Sequence, residues 1–271
     1  MKKILNTGPS PRGWHRLQTV LQCPQKYAWK FEMGMDRRPT DSPALIKGTM
    51  MHLILAQHYY RLKNATEGQD PDEWEEPRIA LKRQAEEEEG RWDPFLEQIE
   101  TCFDAYLSHY KTDNFKVLEV ERLAWGQIDE HTFTGRFDLV MEDVAGRVWV
   151  VDHKTTARLL KRQIQYYGVS GQLIGYSYLA KQIYGDRFHG MLLNQIQHTG
   201  KFNFQRLSLP PAPYLLERFP QTVRDAEERI AQLKKSGRSP LEWPMAMNEM
   251  TCYGRYGACD FLENCKWGTG G

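Results

Sequence analysis

The chain has 271 residues, 41% hydrophobic and 26% charged, with a formal net charge of +1. That balance excludes an intrinsically disordered or fibrous protein and leaves apolar surface for a sizeable core, in one large or two small units. No run approaches the ~18–20 apolar residues of a membrane span. The opening MKKILNTGPSPRGW lacks the apolar stretch of a secretory leader, so the expected compartment is the cytoplasm. Charge is unevenly divided: residues 67–100 hold thirteen acidic and four basic side chains, a local −9 against +10 for the rest. A basic body with one acidic segment suits a polyanion on one side, and a solvated acidic helix is the equal alternative.

Trp14, Leu17, Leu21 and Ala28 recur at helical spacing and predict a helix over 14–31. Pro39 and Pro43 punctuate the loop that follows. A second helix is expected over 44–62, with Leu45, Met51, Leu55 and Tyr59 on its apolar face. After a turn-rich stretch at 68–77, helix resumes over 78–110 with interruptions near Gly90 and Pro94. Lys82–Glu86 and Arg83–Glu87 fall at the i,i+4 spacing of an exposed helix. The period then changes to two. Strands are expected at 117–128, 132–142 and 147–155, the last two joined by a turn at 143–146. Helix returns over 161–184, with a start after Gly168 or Gly171 as the alternative. Strands at 189–197 and 202–209, a helix over 211–235 and an irregular tail complete the chain. This order predicts an α/β core with helical additions and no internal repeat.

The most informative stretches are GRFDLV at 135–140 and VVDHKT at 150–155. Residues two apart on a strand share a face, so Asp152 and Lys154 project together while Trp149, Val151 and His153 point away. Asp138 approaches Asp152 if the two strands pair. Two carboxylates so close repel unless a cation lies between them, and oxygen ligands suit Mg²⁺ or Mn²⁺. Lys154 beside them can orient a water or steady charge on a phosphate, which matches metal-assisted phosphodiester hydrolysis. A surface Asp152–Lys154 ion pair is the alternative, set against the apolar run from Val148 to Val151.

Five segments in order resemble the RecB-type branch of the PD-(D/E)XK nuclease superfamily. They are GTMMHLIL (48–55), LEVERL (118–123), GRFDLV, VVDHKT and QLIGY (172–176). The resemblance implies an α/β, restriction-endonuclease-like core, with a central mixed sheet flanked by helices. It implies one nuclease domain over 1–271, comprising a mainly helical portion (1–113), a core (114–236) and a cysteine-rich tail (237–271) closing on the N-terminal region. By the same resemblance His52, Asp138, Asp152 and the backbone carbonyl of His153 hold the metal, and Lys154 is the catalytic lysine. Gln172 and Tyr176, four apart on one helix face, hold the active site or the DNA strand. Glu121 supports the metal through water, or forms a solvent-facing pair with Glu119.

The five cysteines are Cys23, Cys102, Cys252, Cys259 and Cys265. Disulfides are rare in the cytoplasm, and three clustered cysteines suggest metal. Cys23 in LQCPQKYAWKF plus the three late ones resemble the iron–sulfur members of the same branch, whose four cysteines hold a [4Fe–4S] cluster that ties the domain ends together. The relatives usually have two residues between the first two late cysteines, where this chain has six. Structural Zn²⁺ is the alternative. Cys102 is the odd one out, expected as a buried thiol.

Arg12, Arg16, Lys26 and Lys30 early in the chain, and Arg158, Lys161 and Arg162 after the catalytic strand, are candidates for phosphate contact, with solvated surface as the equal alternative. Trp14, Tyr27 and Trp29 are candidates for stacking on bases, with core packing the better reading of each. The implied activity is a Mg²⁺- or Mn²⁺-dependent deoxyribonuclease, most simply an exonuclease. A non-cleaving nucleic-acid-binding or scaffolding protein and a site-specific endonuclease are the alternatives. Small members of this branch occur in phages, CRISPR adaptation and recombination systems, so DNA and a partner protein from such a system are the expected partners.

Overall fold

The structure, a computed structural model, describes residues 2–35, 42–159, 163–210, 212–254 and 257–268. The N-terminal helical region is broken at one residue. Helix α1 (Trp14–Gln22) ends where Cys23 turns extended, and the Cys23 sulfur then accepts the Lys26 N–H to cap α2 (Pro24–Tyr27). The chain continues as a π turn over Ala28–Glu32. Helix α3 (Pro43–Thr66) starts on a proline at its first position and runs a turn beyond the expected end. Met50, Met51, Leu53, Ile54 and Leu55 are all buried, so the helix is apolar on nearly every side. It lies between the sheet and α4 (Pro77–Glu87) and α5 (Leu96–His109), which accounts for that composition. Leu45, expected on the apolar face, is 51% exposed, because it lies in the first turn, ahead of the buried stretch. Lys82 and Arg83 pair not along their own helix but with Glu100 and Glu75, tying α4 to its neighbours.

A five-stranded mixed sheet follows in the order β1-β2-β3-β4-β5. Strands β1 (Lys116–Ile128), β2 (His131–Glu142) and β3 (Val148–Thr156) are antiparallel. The β2–β3 turn is closed by the Asp143 carboxylate, which accepts the N–H groups of Ala145 and Arg147, with Gly146 at φ +77°. Strand β4 (Phe188–Gln197) is parallel to β3, and so requires a crossover, made by α6 (Gln163–Gly168) and α7 (Gly171–Tyr184). Strand β5 (Asn203–Leu209) returns antiparallel, and α8 (Pro213–Lys235) completes the core.

Apolar clusters cover both sheet faces. Leu17, Phe133, Phe137, Leu179, Leu193 and Phe219 lie on the α1/α7/α8 side, and Met50, Ile54, Phe103, Leu139, Val151 and Ile196 on the α3/α5 side. Val148 and Val150 feed the first cluster and Trp149 and Val151 the second, so β3 is buried on both faces. The tail is less irregular than expected. It contains α9 (Glu249–Cys252), a two-stranded hairpin of β6 (Tyr253–Gly254) and β7 (Gly257–Ala258), and α10 (Leu262–Trp267). Trp243 stacks on Tyr27 with ring centroids 6.1 Å apart, Phe261 packs on Trp29, and the Gln25 side chain donates to the Pro240 carbonyl. The two ends of the chain are thereby joined.

Phe137 is fully buried against Tyr176, one residue before Asp138. Phe137→Ala is expected to lower unfolding free energy by ~3–5 kcal/mol in urea denaturation. A loss below ~1 kcal/mol would contradict its place in the core.

Candidate active site

The β2–β3 ladder runs from Glu142↔Val148 to Leu139↔Val151 and stops. The next opposed residues are Asp138 and Asp152. Here a side chain replaces the ladder: Asp138 Oδ2 accepts the His153 N–H at 2.7 Å. Beyond this point β3 keeps β4 as its neighbour through Thr156. The fork leaves two carboxylates at the open end of a buried strand, and Asp152 is only 1% exposed.

Helix α3 supplies the histidine. Gly48 lets it approach β3, since a Cβ there would lie 3.2 Å from Thr155 Oγ1. One turn later His52 Nδ1 lies 3.5 Å from Asp138 Oδ2, and its Nε2 is 2.9 Å from the His153 carbonyl oxygen. Strand β1 supplies Glu121, which adopts φ +49° between the Val120↔Leu139 and Arg122↔Phe137 pairs. A non-glycine residue in this region is strained, and such strain gathers at functional sites. The twist separates the two glutamates expected on one face. Glu119 pairs with Arg122 and accepts from Tyr184, whereas Glu121 turns inward and is 8% exposed, which corrects the solvent-facing alternative. His52, Glu121 and Asp138 each offer a ligand atom, all within 4.8 Å of one another.

On the other side of Asp152, Lys154 Nζ lies 2.8 Å from Asp152 Oδ2 and donates to Gln172 Oε1 at 3.4 Å. Gln172 Nε2 donates to Tyr176 Oη at 3.1 Å. Tyr176 fits because Gly135 has no Cβ, which would stand 2.9 Å from its ring. Burial pulls the Lys154 ammonium down, but Asp152 and Asp138 outweigh it and the net shift is upward. Lys154 is therefore a charged donor rather than a base. Burial, reinforced by Asp152, raises the Asp138 carboxyl against the opposing pull of His52. Burial and then repulsion from Asp138 push Glu121 up to about 9. The Oε2 of Glu121 is buried without a hydrogen-bond partner among the described residues. Three carboxyl groups against the Lys154 ammonium and the Arg136 guanidinium, with one glutamate oxygen unpartnered, have the donor set of a hard divalent cation site.

The sequence pattern of the PD-(D/E)XK nuclease superfamily matches residues 14–266. The chain belongs to the PD-(D/E)XK nuclease superfamily. A candidate exonuclease from Eubacterium rectale has a similar structure, with a TM-score of 0.55 and 14% identity over 93% of this chain and 87% of that one. That likeness and the mixed sheet agree with a restriction-endonuclease-like fold. SSO0001 is also 14% identical, over 69% of this chain and 84% of that one, with a TM-score of 0.33. No curated protein matches the chain.

Around this PD-(D/E)XK core the remaining candidates divide. Cys23, Cys252, Cys259 and Cys265 line one cavity with Lys26, Trp29, Met247 and Leu262. Within the six-residue spacer β6 pairs with β7, and just beyond that pair the Cys259 N–H donates to the Cys252 carbonyl at 2.7 Å. Burial and the other three cysteines raise the Cys265 thiol to about 11. All five cysteines are free, and among the described residues no three of the sulfurs lie within 4.8 Å of one another. Cys102 is fully buried in α5, where burial raises its thiol to about 12.

Arg158 is exposed just past β3, whereas Lys161 and Arg162 lie outside the described residues. Arg16 is not on a free surface. Its guanidinium is held by Glu227 and Tyr27, because α1 packs on α8. Tyr27 and Trp29 are 3% and 2% exposed, and Trp14 packs over Gly171 and Phe219, so all three serve the core rather than stacking on bases. Arg136, not singled out from the sequence, stands behind Glu121 and donates to its carbonyl oxygen and to that of Asn6. The available signal was a cation two residues before Asp138 on the same strand face.

The folded, metal-free protein keeps the Glu121 proton up to about 9, whereas the unfolded chain loses it near 4.5. The unfolded state binds fewer protons across that window, so stability falls as pH rises through it. With chelator present, Glu121→Gln is expected to raise the melting temperature at pH ~8 and change it little at pH ~5. Equal changes at both pH values would count against a buried, proton-holding carboxyl.

Proposed function

We propose that this chain is a Mg²⁺- or Mn²⁺-dependent deoxyribonuclease of the RecB-type branch, acting as an exonuclease, with its whole length forming one nuclease domain. The observation that carries the reading is the convergence of His52, Glu121, Asp138, Asp152 and Lys154 on the fork between β2 and β3. His52, Glu121, Asp138, Asp152 and the His153 carbonyl would hold the cation. When bound, such an ion supplies Lewis acidity toward a phosphate oxygen and lowers the pKa of water.

The chain's own residues do the rest. Asp152 and Gln172 hold the Lys154 ammonium at the site, where it stabilises negative charge growing on the scissile phosphate. Tyr176 fixes Gln172 from behind. Arg158, with Lys161 and Arg162 beside it in sequence, would meet neighbouring phosphates. The name of the Eubacterium rectale neighbour favours an exonuclease over an endonuclease.

End-labelled linear DNA, single- and double-stranded, is expected to be degraded with Mg²⁺ or Mn²⁺, while closed circles survive. Lys154→Ala should slow cleavage by about 10²–10³-fold, and Asp152→Ala should reduce it to background. Wild type and Asp152→Ala leaving all substrates equally intact would sink the nuclease reading.

The four-cysteine cavity is proposed to hold a structural [4Fe–4S] cluster. Four thiolates also suit structural Zn²⁺. One early cysteine with three late ones, the arrangement of the iron–sulfur members of the branch, favours the cluster over zinc. Anaerobic purification should give a brown protein with about four irons per chain, and Cys252→Ala should lose iron and melt earlier. A colourless protein with stoichiometric zinc would reject the cluster and leave the nuclease standing.

A further inference from the structure

On the α3/α5 side of the sheet, a connected group of buried polar side chains lies directly behind the fork. His153, Asn194 and Arg206 are in register across β3, β4 and β5, and so project to one face as a transverse row. Asn194 Nδ2 donates to Tyr106 Oη at 3.0 Å and lies 2.8 Å from Nδ1 of His153, which accepts in the neutral ring. Tyr106 Oη is 2.8 Å from Tyr59 Oη, and Arg206 Nη2 donates to both hydroxyls, at 3.3 and 3.2 Å. Arg206 is itself held by Asp113 and by the Tyr110 ring, 3.9 Å from its Cζ. The Tyr59 ring lies at 14° to the His153 ring, with centroids 6.1 Å apart. Asn194, Tyr106 and His153 are 0%, 1% and 2% exposed.

Apolar residues of similar shape would fill this space without the cost of burying these polar groups, so a connected set that reaches the His153 ring through Asn194 and Tyr59 needs a reason. The main chain of His153 supplies it. Its N–H is bound by Asp138 and its carbonyl oxygen by His52. A backbone atom has no rotamer of its own, so its position depends on what holds its residue. At His153 the β2 ladder has already ended, and ladder support comes from β4 alone. The geometry points to Asn194, Tyr106, Tyr59 and Arg206 as positioning residues that clamp the His153 ring and thereby fix its carbonyl and N–H at the cation site. This inference rests on the metal-site reading above, and the four residues act only through His153.

The test is calorimetric titration of the full chain with Mn²⁺, alongside melting temperatures in chelator. Wild type should bind and Asp138→Ala should not. Asn194→Leu, Tyr106→Phe and His153→Phe should each weaken Mn²⁺ binding by at least about tenfold. The double variant His153→Phe/Asn194→Leu should bind within about twofold of His153→Phe alone, since Asn194 then has no ring nitrogen to hold. If Asn194→Leu does not fold, Tyr106→Phe, which keeps the ring and loses one hydroxyl, decides the matter. Variants that melt earlier yet bind Mn²⁺ like wild type would overturn the clamp while leaving the metal site intact. Wild type that binds no Mn²⁺ would overturn the metal-site reading and the clamp with it.

Discussion

The hydrogen bond from the His153 N–H to the Asp138 carboxylate is the contact on which the site depends. It ends a β ladder without exposing the freed donor, because a carboxylate takes the place of the neighbouring strand's carbonyl. Asp138, Asp152 and Lys154 can stand at the edge of a core strand only because the sheet opens there. The pairing of Leu139–Glu142 with Val148–Val151 holds the two strands together up to that point. A continuous ladder would have directed both carboxylates into packed side chains, where an unpaired charge is costly.

Electrostatics at the fork is unbalanced by construction. Glu121 is strained and buried, with one oxygen unpartnered, and Asp138 is raised by burial and by its acidic neighbour. Without metal that repulsion keeps a proton on Glu121, which a divalent cation would displace, so metal binding, pH and local stability are linked. Lys154 answers only part of the deficit, being committed to Asp152 and Gln172.

The early and late segments of the chain are held to each other. Cys23 breaks the first helix and faces the cavity that the tail cysteines line, while Trp243 and Phe261 dock on Tyr27 and Trp29. A group bridging those sulfurs would cross-link residues more than two hundred positions apart, restricting the unfolded chain most strongly. Arg16, drawn into an ion pair with Glu227, belongs to this structural work rather than to a nucleic-acid surface.

Local patterning determined much of this protein. The helix and strand periods, the Asp143 turn, the shared face of Asp152 and Lys154 and the Gln172–Tyr176 pair all follow from spacings within one element, where geometry repeats every 2 or 3.6 residues. The nuclease motifs were legible for the same reason. Only tertiary structure decided the inward turn of Glu121, since a left-handed residue reverses the strand alternation without a residue-type signal. It alone decided that Tyr253–Gly254 and Gly257–Ala258 pair between Cys252 and Cys259, that Tyr27 and Trp29 are core, and that Asn194 and Arg206 share a row with His153. Those relations join residues from separate elements, and sheet register and packing, not sequence distance, bring them together.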